Sequence, residues 1–438
     1  MKTYFATFGC KVNQCETENI KQQLISEGFS VCEDINEAQL CIVNSCTVTS
    51  QSELKCRQFM HKVKRENPGC AILLRGCMPQ AFPDKAKALH CKGDIDIAVG
   101  NASVKETVNA AIEYMKFGKK SFYITEHNKG EAFDNFSNSE FATKTRAYLK
   151  IQDGCDQYCT YCIIPYARGH IRSKPLDSIR AEASILGKCG HKEIILVGIN
   201  LCCYGKDFNN GTRLIDAIEA VCSCEEIERV RLGSIEPEMI SDDDIDRMSK
   251  LEKLCPQFHL SLQSGCDKTL KAMNRKYTSC EYRILCEKLR AAFPSCAITT
   301  DIMVGFPGET QEDFEKSLNF VYDIGFADAH IFPYSQRSGT IADAKGGQID
   351  KSTKKLRAEI MSRICADSRQ KFLSQMVGKR VRVLFEKENC TSFHQGYSEN
   401  YTLIKIRRKK VQKSLKRESF YVIIEEVADG FCIGRIVD

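Results

Sequence analysis

Three cysteines, Cys155, Cys159 and Cys162, stand in the stretch "IQDGCDQYCTYCIIPYARG" (151–169) with the spacing C-x3-C-x2-C and no histidine or fourth cysteine among them. Structural zinc closes its shell with four Cys or His ligands, whereas three thiolates on one loop suit an iron-sulfur cube with one iron left free of protein. Zinc is one competing reading. Buried thiols acting as small apolar residues are the other, in a chain with 25 cysteines. The motif sits in a Gly-, Asp- and Tyr-containing loop and not on an apolar helical stripe, and ligand number and softness both favour the cube.

A second set of cysteines is dispersed. Cys10, Cys46 and Cys77 each end an apolar run, "TYFATFGC", "AQLCIVNSC" and "CAILLRGC". Ligands of open α/β sheets collect beyond the carboxyl ends of the strands, so these three can meet in space despite their separation in sequence. Cys15, Cys41 and Cys70 are rivals, since by burial statistics any cysteine can be core. Position separates them: Cys41 opens its run and Cys15 falls in an expected helix. The opposing reading is that all six are unligated thiols.

The elements that must carry these residues follow from periodicity. Residues 1–125 alternate short β-like runs with amphipathic helical stretches, the rhythm of an α/β layer with a parallel sheet. A polar segment at 126–145 reads as a linker. From 146 the βα rhythm resumes in six units, "AYLKIQDGC" to "DAHIFPYSQ", enough for a partial (βα)6 barrel with its active site at the carboxyl ends of the strands, in a unit running to 370. From 375 to 438, short β-rich pieces such as "KRVRVLFE", "GYSENYTLIKI" and "SFYVIIEEV" suggest a small antiparallel β-barrel. The fold class is α/β.

Composition narrows the setting. The 438 residues are 43% hydrophobic, ample for two to four cored domains. The net charge of +6 diagnoses no partner by itself, but residues 375–438 hold thirteen Lys or Arg against eight Asp or Glu, with the dense run "KIRRKKVQKSLKR" at 405–417. Such a run can attract phosphate backbones or simply form a solvated face. No apolar run reaches bilayer length, the start lacks a secretory layout, and so many cysteines suit a reducing compartment, so no membrane association and a cytoplasmic location are expected.

The three-cysteine motif resembles that of the radical S-adenosylmethionine superfamily. The resemblance implies that Cys155, Cys159 and Cys162 hold a [4Fe-4S] cluster whose open iron binds S-adenosyl-L-methionine and cleaves it to a 5'-deoxyadenosyl radical, chemistry that belongs to the cofactor. It further implies that Gly305 in "DIMVGFPGET", Ser234 and Glu236 in "GSIEP", Gln263 in "HLSLQSG" and Asn200 in "GINLCCYG" line the cofactor pocket. For each of these the alternative is an ordinary strand end with a satisfied polar residue.

"FGCKVNQCETE", "CIVNSCTVT" and "LLRGCMPQ" resemble the amino-terminal signatures of the methylthiotransferases within that superfamily, "HLSLQSGCDKTLKAMNRKY" their central domain, and the tail their RNA-binding TRAM barrel. This implies a second [4Fe-4S] cluster on Cys10, Cys46 and Cys77 to bind or relay sulfur, and no catalytic side chain apart from the cluster ligands. The implied partners are a tRNA anticodon loop, an electron donor such as flavodoxin or ferredoxin, and a sulfur donor. Radical chemistry suits the reaction, because no side-chain base removes hydrogen from an unactivated aromatic carbon near neutral pH, and stray hydrogen donors must be excluded. The segments most resemble the branch that methylthiolates C2 of N6-threonylcarbamoyladenosine 37. The branch acting on N6-isopentenyladenosine 37 and that acting on a ribosomal-protein aspartate are the alternatives. Arg168, His170 and Arg172 either contact substrate or cofactor or pair locally. Cys202 and Cys203 depart from the smaller residues expected there, and Pro79 restricts the turn after Cys77.

Overall fold

The computed structural model describes residues 1–101, 103–135, 145–386, 392–408, 411 and 414–437. The amino-terminal third is a six-stranded parallel sheet of β1 (Lys2–Thr7), β2 (Ser30–Val31), β3 (Leu40–Ser45), β4 (Ala71–Gly76), β5 (Ile97–Val99) and β6 (Ser121–Tyr123), in the order β2-β1-β3-β4-β5-β6. Every residue of β3 and β4 is buried, as continuous apolar runs must be when helices cover both faces. On one face Leu40, Ile42, Leu73 and Val99 meet Ile20 and Leu24 of helix Lys11–Ser26 and Val104 and Val108 of helix Val104–Phe117. On the other, Cys41, Val43, Ile72 and Leu74 meet Cys56, Met60 and Val63 of helix Ser50–Glu66. The register aligns Thr7 with Asn44 and Ser45 with Gly76, so β1, β3 and β4 end side by side. The strand order reverses direction at β1, and the crevice beyond such a reversal is where these sheets bind ligands.

The central unit holds β7 (Arg146–Lys150), β8 (Gln152–Asp153), β9 (Arg172–Ser173), β10 (Glu193–Val197), β11 (Arg229–Leu232), β12 (Ser234–Ile235), β13 (Gln257–Leu260), β14 (Ala297–Val304) and β15 (Asp328–Pro333). β7, β10 and β11 form one parallel sheet and β12 to β15 another. β11 and β12 are two halves of one strand, interrupted at Gly233, whose N–H donates back to Leu196. The first half pairs with β10 and the second with β13, so the six expected strand positions are present with a seam at the third.

The last five strands, β16 (Arg380–Phe385), β17 (Phe393–Ser398), β18 (Leu403–Arg407), β19 (Ser419–Ala428) and β20 (Phe431–Val437), close into a barrel in the order β16-β17-β18-β20-β19. "GYSENYTLIKI" spans two of these strands, with Tyr401 in the left-handed region at the turn. The barrel is not wholly antiparallel: β18 and β20 pair in parallel. A closed ring of five strands cannot alternate direction throughout, so one neighbouring pair must run together.

Two junctions differ from the sequence reading. Helix Lys351–Ser374 runs through the boundary expected at 370–375, and its Leu373, with Met376 beyond, belongs to the core of the closed barrel. In the expected linker, His127 bonds Asn101 and the Ala167 carbonyl, Asp134 accepts from Val104 N–H, and Asn135 donates to Ser178. Residues 126–135 are therefore held against the domains, while 136–144 lie outside the described residues. No helix among the described residues is long and apolar enough to cross a membrane.

The closed barrel docks on β11 through two buried arginines. Arg229 donates to the carbonyls of Tyr397 (3.1 Å) and Arg382 (2.7 Å), and Arg231 to that of Glu399 (2.9 Å) while pairing with Glu193 at 2.9 Å. Removing one partner of a buried pair leaves an uncompensated charge. Arg231→Ala is thus expected to cost about 3 kcal/mol in urea unfolding and to speed protease cleavage between helix Lys351–Ser374 and β16; unchanged stability would contradict the docking role.

Candidate functional site

The dispersed cysteines converge because of the level strand ends. Cys10 caps helix Lys11–Ser26 after β1, Cys46 follows β3, and Cys77 opens the short helix Cys77–Ala81 after β4, with Pro79 tolerated in its first turn. Gly9 has φ +105°, and a side-chain carbon there would lie 2.6 Å from Cys46 Cβ, so only glycine lets the first loop sit against the second. Asn13 stitches these loops, its amide donating to the carbonyls of Phe8 (2.9 Å) and Ser45 (3.0 Å). Burial, then the neighbouring Cys77 thiol, pushes Cys46 up to about 12. Cys10 reaches solvent yet is hemmed by protein, and desolvation raises it too, with Arg168 opposing and Cys77 adding to the rise.

The rivals lie elsewhere. Cys41 and Cys70 sit at the amino ends of β3 and β4, within the apolar layer under helix Ser50–Glu66, where burial and then the Cys70 thiol raise Cys41. Cys15 packs against the central unit, its thiol donating to the Tyr148 carbonyl at 3.7 Å.

The C-x3-C-x2-C loop is framed by β8 and β9, which pair across its base. Cys155 N–H donates to the Gly169 carbonyl at 3.0 Å. Gly154, at φ +72°, has no room for a side chain, because the His170 carbonyl would lie 1.8 Å from its Cβ. Tyr158 is held at φ 47°, a conformation costly for a bulky residue. Asn274 supports it by donating to the carbonyls of Gln157 (3.3 Å) and Tyr158 (3.0 Å), and Thr160 N–H donates to the Met273 carbonyl at 3.0 Å. Burial pushes Cys155 up to about 11 and Cys162 up to about 12; in both, other thiols of the trio add to the rise.

The remaining expected residues sit at the carboxyl ends of successive strands. Asn200 follows β10, its Nδ2 3.9 Å from Cys155 Sγ and its buried Oδ1 without a hydrogen-bond partner among the described residues. Ser234 is exposed and bonds Ser261 at 2.9 Å. Glu236 pairs with Arg275; burial raises its carboxyl although Arg275 opposes. Gln263 has φ 64° and splices onto β14 through Asp301 and Met303. Gly305 follows β14, donates to Glu309 at 2.8 Å and abuts Lys354. Of the two unexpected cysteines, Cys202 accepts from Glu236 N–H at 3.2 Å, and Cys203 lies beside Met239. His170 pairs with Asp156 at 2.7 Å, and Arg172 with Glu131 at 3.4 Å.

Three residues that carry much of the geometry were not anticipated as such: Arg275, Asn13 and Glu16. Arg275 donates to Cys159 Sγ at 3.5 Å. Asn13 and Glu16 are fully buried on helix Lys11–Ser26, three residues apart. Polar residues repeating at helical spacing on the apolar face were the available signal.

Side chains from the carboxyl end of the partial barrel bridge to the loops at the carboxyl end of the amino-terminal sheet, on either side of the dispersed cysteines. Arg337, after β15, donates to Thr47 Oγ1 (2.7 Å) and Glu53 (2.9 Å), just beyond Cys46. On the other side Arg168, six positions after Cys162, reaches Glu16, Asn13 Oδ1 (2.6 Å), Asp153 (3.3 Å) and Cys77 Sγ (3.3 Å). Lys150 joins Glu16 (2.9 Å) to Asp153 (2.6 Å), and Arg75 pairs with Glu16 at 3.0 Å. Burial favours the neutral acid at Glu16, but Arg168, Lys150 and Arg75 outweigh it and hold the carboxyl well below the usual range. Asp153, against the same burial, is held at about 2 by Lys150, Arg168 and Arg172.

Among the described residues no three His, Cys, Asp or Glu side chains converge closely enough to hold a single metal ion. The chemistry of the donors suits a cluster: each set is thiol only, Cys46 and Cys162 are each raised in part by other thiols of their own set, and an arginine donates to one sulfur of each set. Asn200, whose Nδ2 lies beside Cys155, adds a buried amide oxygen with no hydrogen-bond partner among the described residues.

Residues 149–321 match the model of the radical SAM superfamily and residues 2–100 that of the Uncharacterized protein family UPF0004. The chain is 38% identical over 403 residues to threonylcarbamoyladenosine tRNA methylthiotransferase MtaB of Thermotoga maritima, covering 92% of this chain and 90% of the relative. It is 33% identical to the protein of the same name from Bacillus subtilis, covering 91% and 88%. It is 35% identical to the tRNA-2-methylthio-N(6)-dimethylallyladenosine synthase of Acetivibrio thermocellus, covering 88% and 81%. A solved radical S-adenosylmethionine methyltransferase, TsrM of Kitasatospora setae, shares the fold with TM-score 0.59 over 78% of this chain and 77% of that one, at 14% identity.

Two outcomes follow from the buried network. Glu16→Gln leaves Arg168, Lys150 and Arg75 short of an anion and is expected to cost about 3–5 kcal/mol in urea unfolding. A carboxyl depressed below its unfolded value near 3.9 stabilises the fold above that pH and loses the contribution as pH falls through the folded value. The metal-free chain is therefore expected to lose stability between about pH 4 and about pH 2, with the slope reduced in Asp153→Asn; an unreduced slope would show that Asp153 is not the group responsible.

Proposed function

The chain belongs to the methylthiotransferase family of radical S-adenosylmethionine enzymes, and on that premise we propose that it inserts a methylthio group at C2 of N6-threonylcarbamoyladenosine 37 in the tRNA anticodon loop. The observation that carries the reading is the bridge between two separate three-thiol sets: Arg168, on the helix that follows the first set, donates to the Cys77 sulfur of the second. One set would serve radical generation and the other sulfur transfer.

The assignments are residue by residue. Cys155, Cys159 and Cys162 would hold one [4Fe-4S] cluster and Cys10, Cys46 and Cys77 the other; when bound, the first supplies reductive cleavage of S-adenosyl-L-methionine and the second the sulfur. Asn200, Ser234, Glu236, Gln263 and Gly305, spread over the carboxyl ends of the barrel strands, would line the S-adenosyl-L-methionine pocket. Arg275 fixes Glu236 and touches Cys159, so one guanidinium orients both a pocket carboxylate and a cluster ligand. Asn274 and Met273 hold the cysteine loop in its strained shape.

The units 1–125, 146–370 and 375–438 would divide the work as auxiliary-cluster domain, radical core and TRAM domain, with 126–145 between them. On the closed barrel, Lys405 Nζ lies 3.7 Å from the Phe431 ring and Arg380 stacks 3.9 Å from Tyr421, both pairs at least partly open to solvent. Cations beside exposed rings grip phosphates and unstacked bases together, which suits a single-stranded RNA loop. Part of the basic run 405–417, residues 409, 410, 412 and 413, lies outside the described residues. An electron donor such as flavodoxin or ferredoxin and a sulfur donor complete the expected partners, in the cytoplasm.

Mass spectrometry of tRNA nucleosides from cells with and without the protein tests the substrate. Loss of the methylthio increment from threonylcarbamoyladenosine alone is expected; loss from the isopentenyl nucleoside instead would reassign the branch. Anaerobic reconstitution should give about eight irons per chain, falling to about four when either trio is changed to alanine.

A further inference from the structure

Among the described residues, the buried network beside the two cysteine sets contains four cations, Arg75, Lys150, Arg168 and Arg172, and three carboxylates, Glu16, Asp153 and Glu131. Arg75 and Arg168 are wholly inaccessible, while Glu131, the most exposed carboxylate of the set, also pairs with His127. An uncompensated buried charge is costly, so a buried guanidinium favours an anionic neighbour. The guanidinium of Arg168 spends its Nη atoms on Glu16, Asn13 and Asp153, while Nε–H, the remaining donor direction, is aimed at Cys77 Sγ at 3.3 Å. A cube in its oxidised state on three thiolates carries a net charge of about −1, the sign that a buried guanidinium favours.

Arg168 also ends the helix Ile164–Arg168, which starts two residues after Cys162 and packs on the helix that Cys77 opens. One short rigid piece thus carries both a ligand of the first set and a donor to the second. We propose that Arg168 is a positioning residue for the cluster of Cys10, Cys46 and Cys77, donating to the Cys77 sulfur and supplying the positive charge that stabilises the cluster's reduced form. The inference rests on the two-cluster reading above. Removing a cation and its hydrogen bond from a cluster sulfur makes the added electron harder to accommodate, so the potential must fall.

The test uses the full chain with Cys155, Cys159 and Cys162 changed to alanine, so that the other cluster is read alone in an EPR-monitored redox titration. Arg168→Gln is expected to keep about four irons per chain and to reduce at least tenfold less favourably, 59 mV for one electron. Arg168→Lys retains the charge for Glu16 but cannot reach Glu16, Asn13 and Cys77 together, so a smaller fall in the same direction is expected. An unchanged potential in Arg168→Gln at full iron content overturns the proposal. Should Arg168→Gln fail to fold or to bind iron, the lysine variant decides: a potential equal to the parent's overturns it and a lowered one sustains it. A parent that binds no iron overturns the cluster reading itself, and this inference with it.

Discussion

The contact between Glu16 and Arg168 organises this molecule. Both side chains are sealed from water, and neither could remain charged there alone, so each obliges the chain around it to supply partners. Glu16 takes them from β4 through Arg75 and from β7 through Lys150; Arg168 takes them from the first helix and from β8. The two halves of the site are consequently locked by electrostatics that tolerates little slippage, in contrast to an apolar seam, which could slide at small cost.

Much of this was readable in advance. The spacing of Cys155, Cys159 and Cys162 needs no tertiary information, and the position of Cys10, Cys46 and Cys77 at the ends of apolar runs follows from strand periodicity. The parallel register of β1, β3 and β4 then turns three remote positions into neighbours. What periodicity could not supply were the pairings across domains: Arg168 with Cys77, Arg275 with Cys159 and Arg337 with Thr47 join residues whose separation in the chain carries no local signature. Asn13 and Glu16 left a trace, as polar residues where an amphipathic helix should be apolar.

The sequence reading also smoothed over breaks. The third of the six expected units is divided at Gly233 into β11 and β12, so that each half serves a different neighbour, a usual sense of an isolated glycine in a strand. The segment 126–145 looked like a tether by composition, but polar residues such as His127 and Asp134 are also the ones that can satisfy exposed backbone and side-chain groups of the domains they cross. Composition reports solvation, not attachment.

Helix Lys351–Ser374 is a single rod of 24 residues, about 36 Å long at the usual rise. Near its start Arg357 grips Glu309, which in turn holds the Gly305 turn after β14, and at its far end Leu373 is embedded in the closed barrel. A rod fastened at both extremities is a lever. Any tilt of the small barrel must either bend this helix or tug on the turn after β14, so the seating of that barrel has a mechanical handle on the carboxyl end of a central strand.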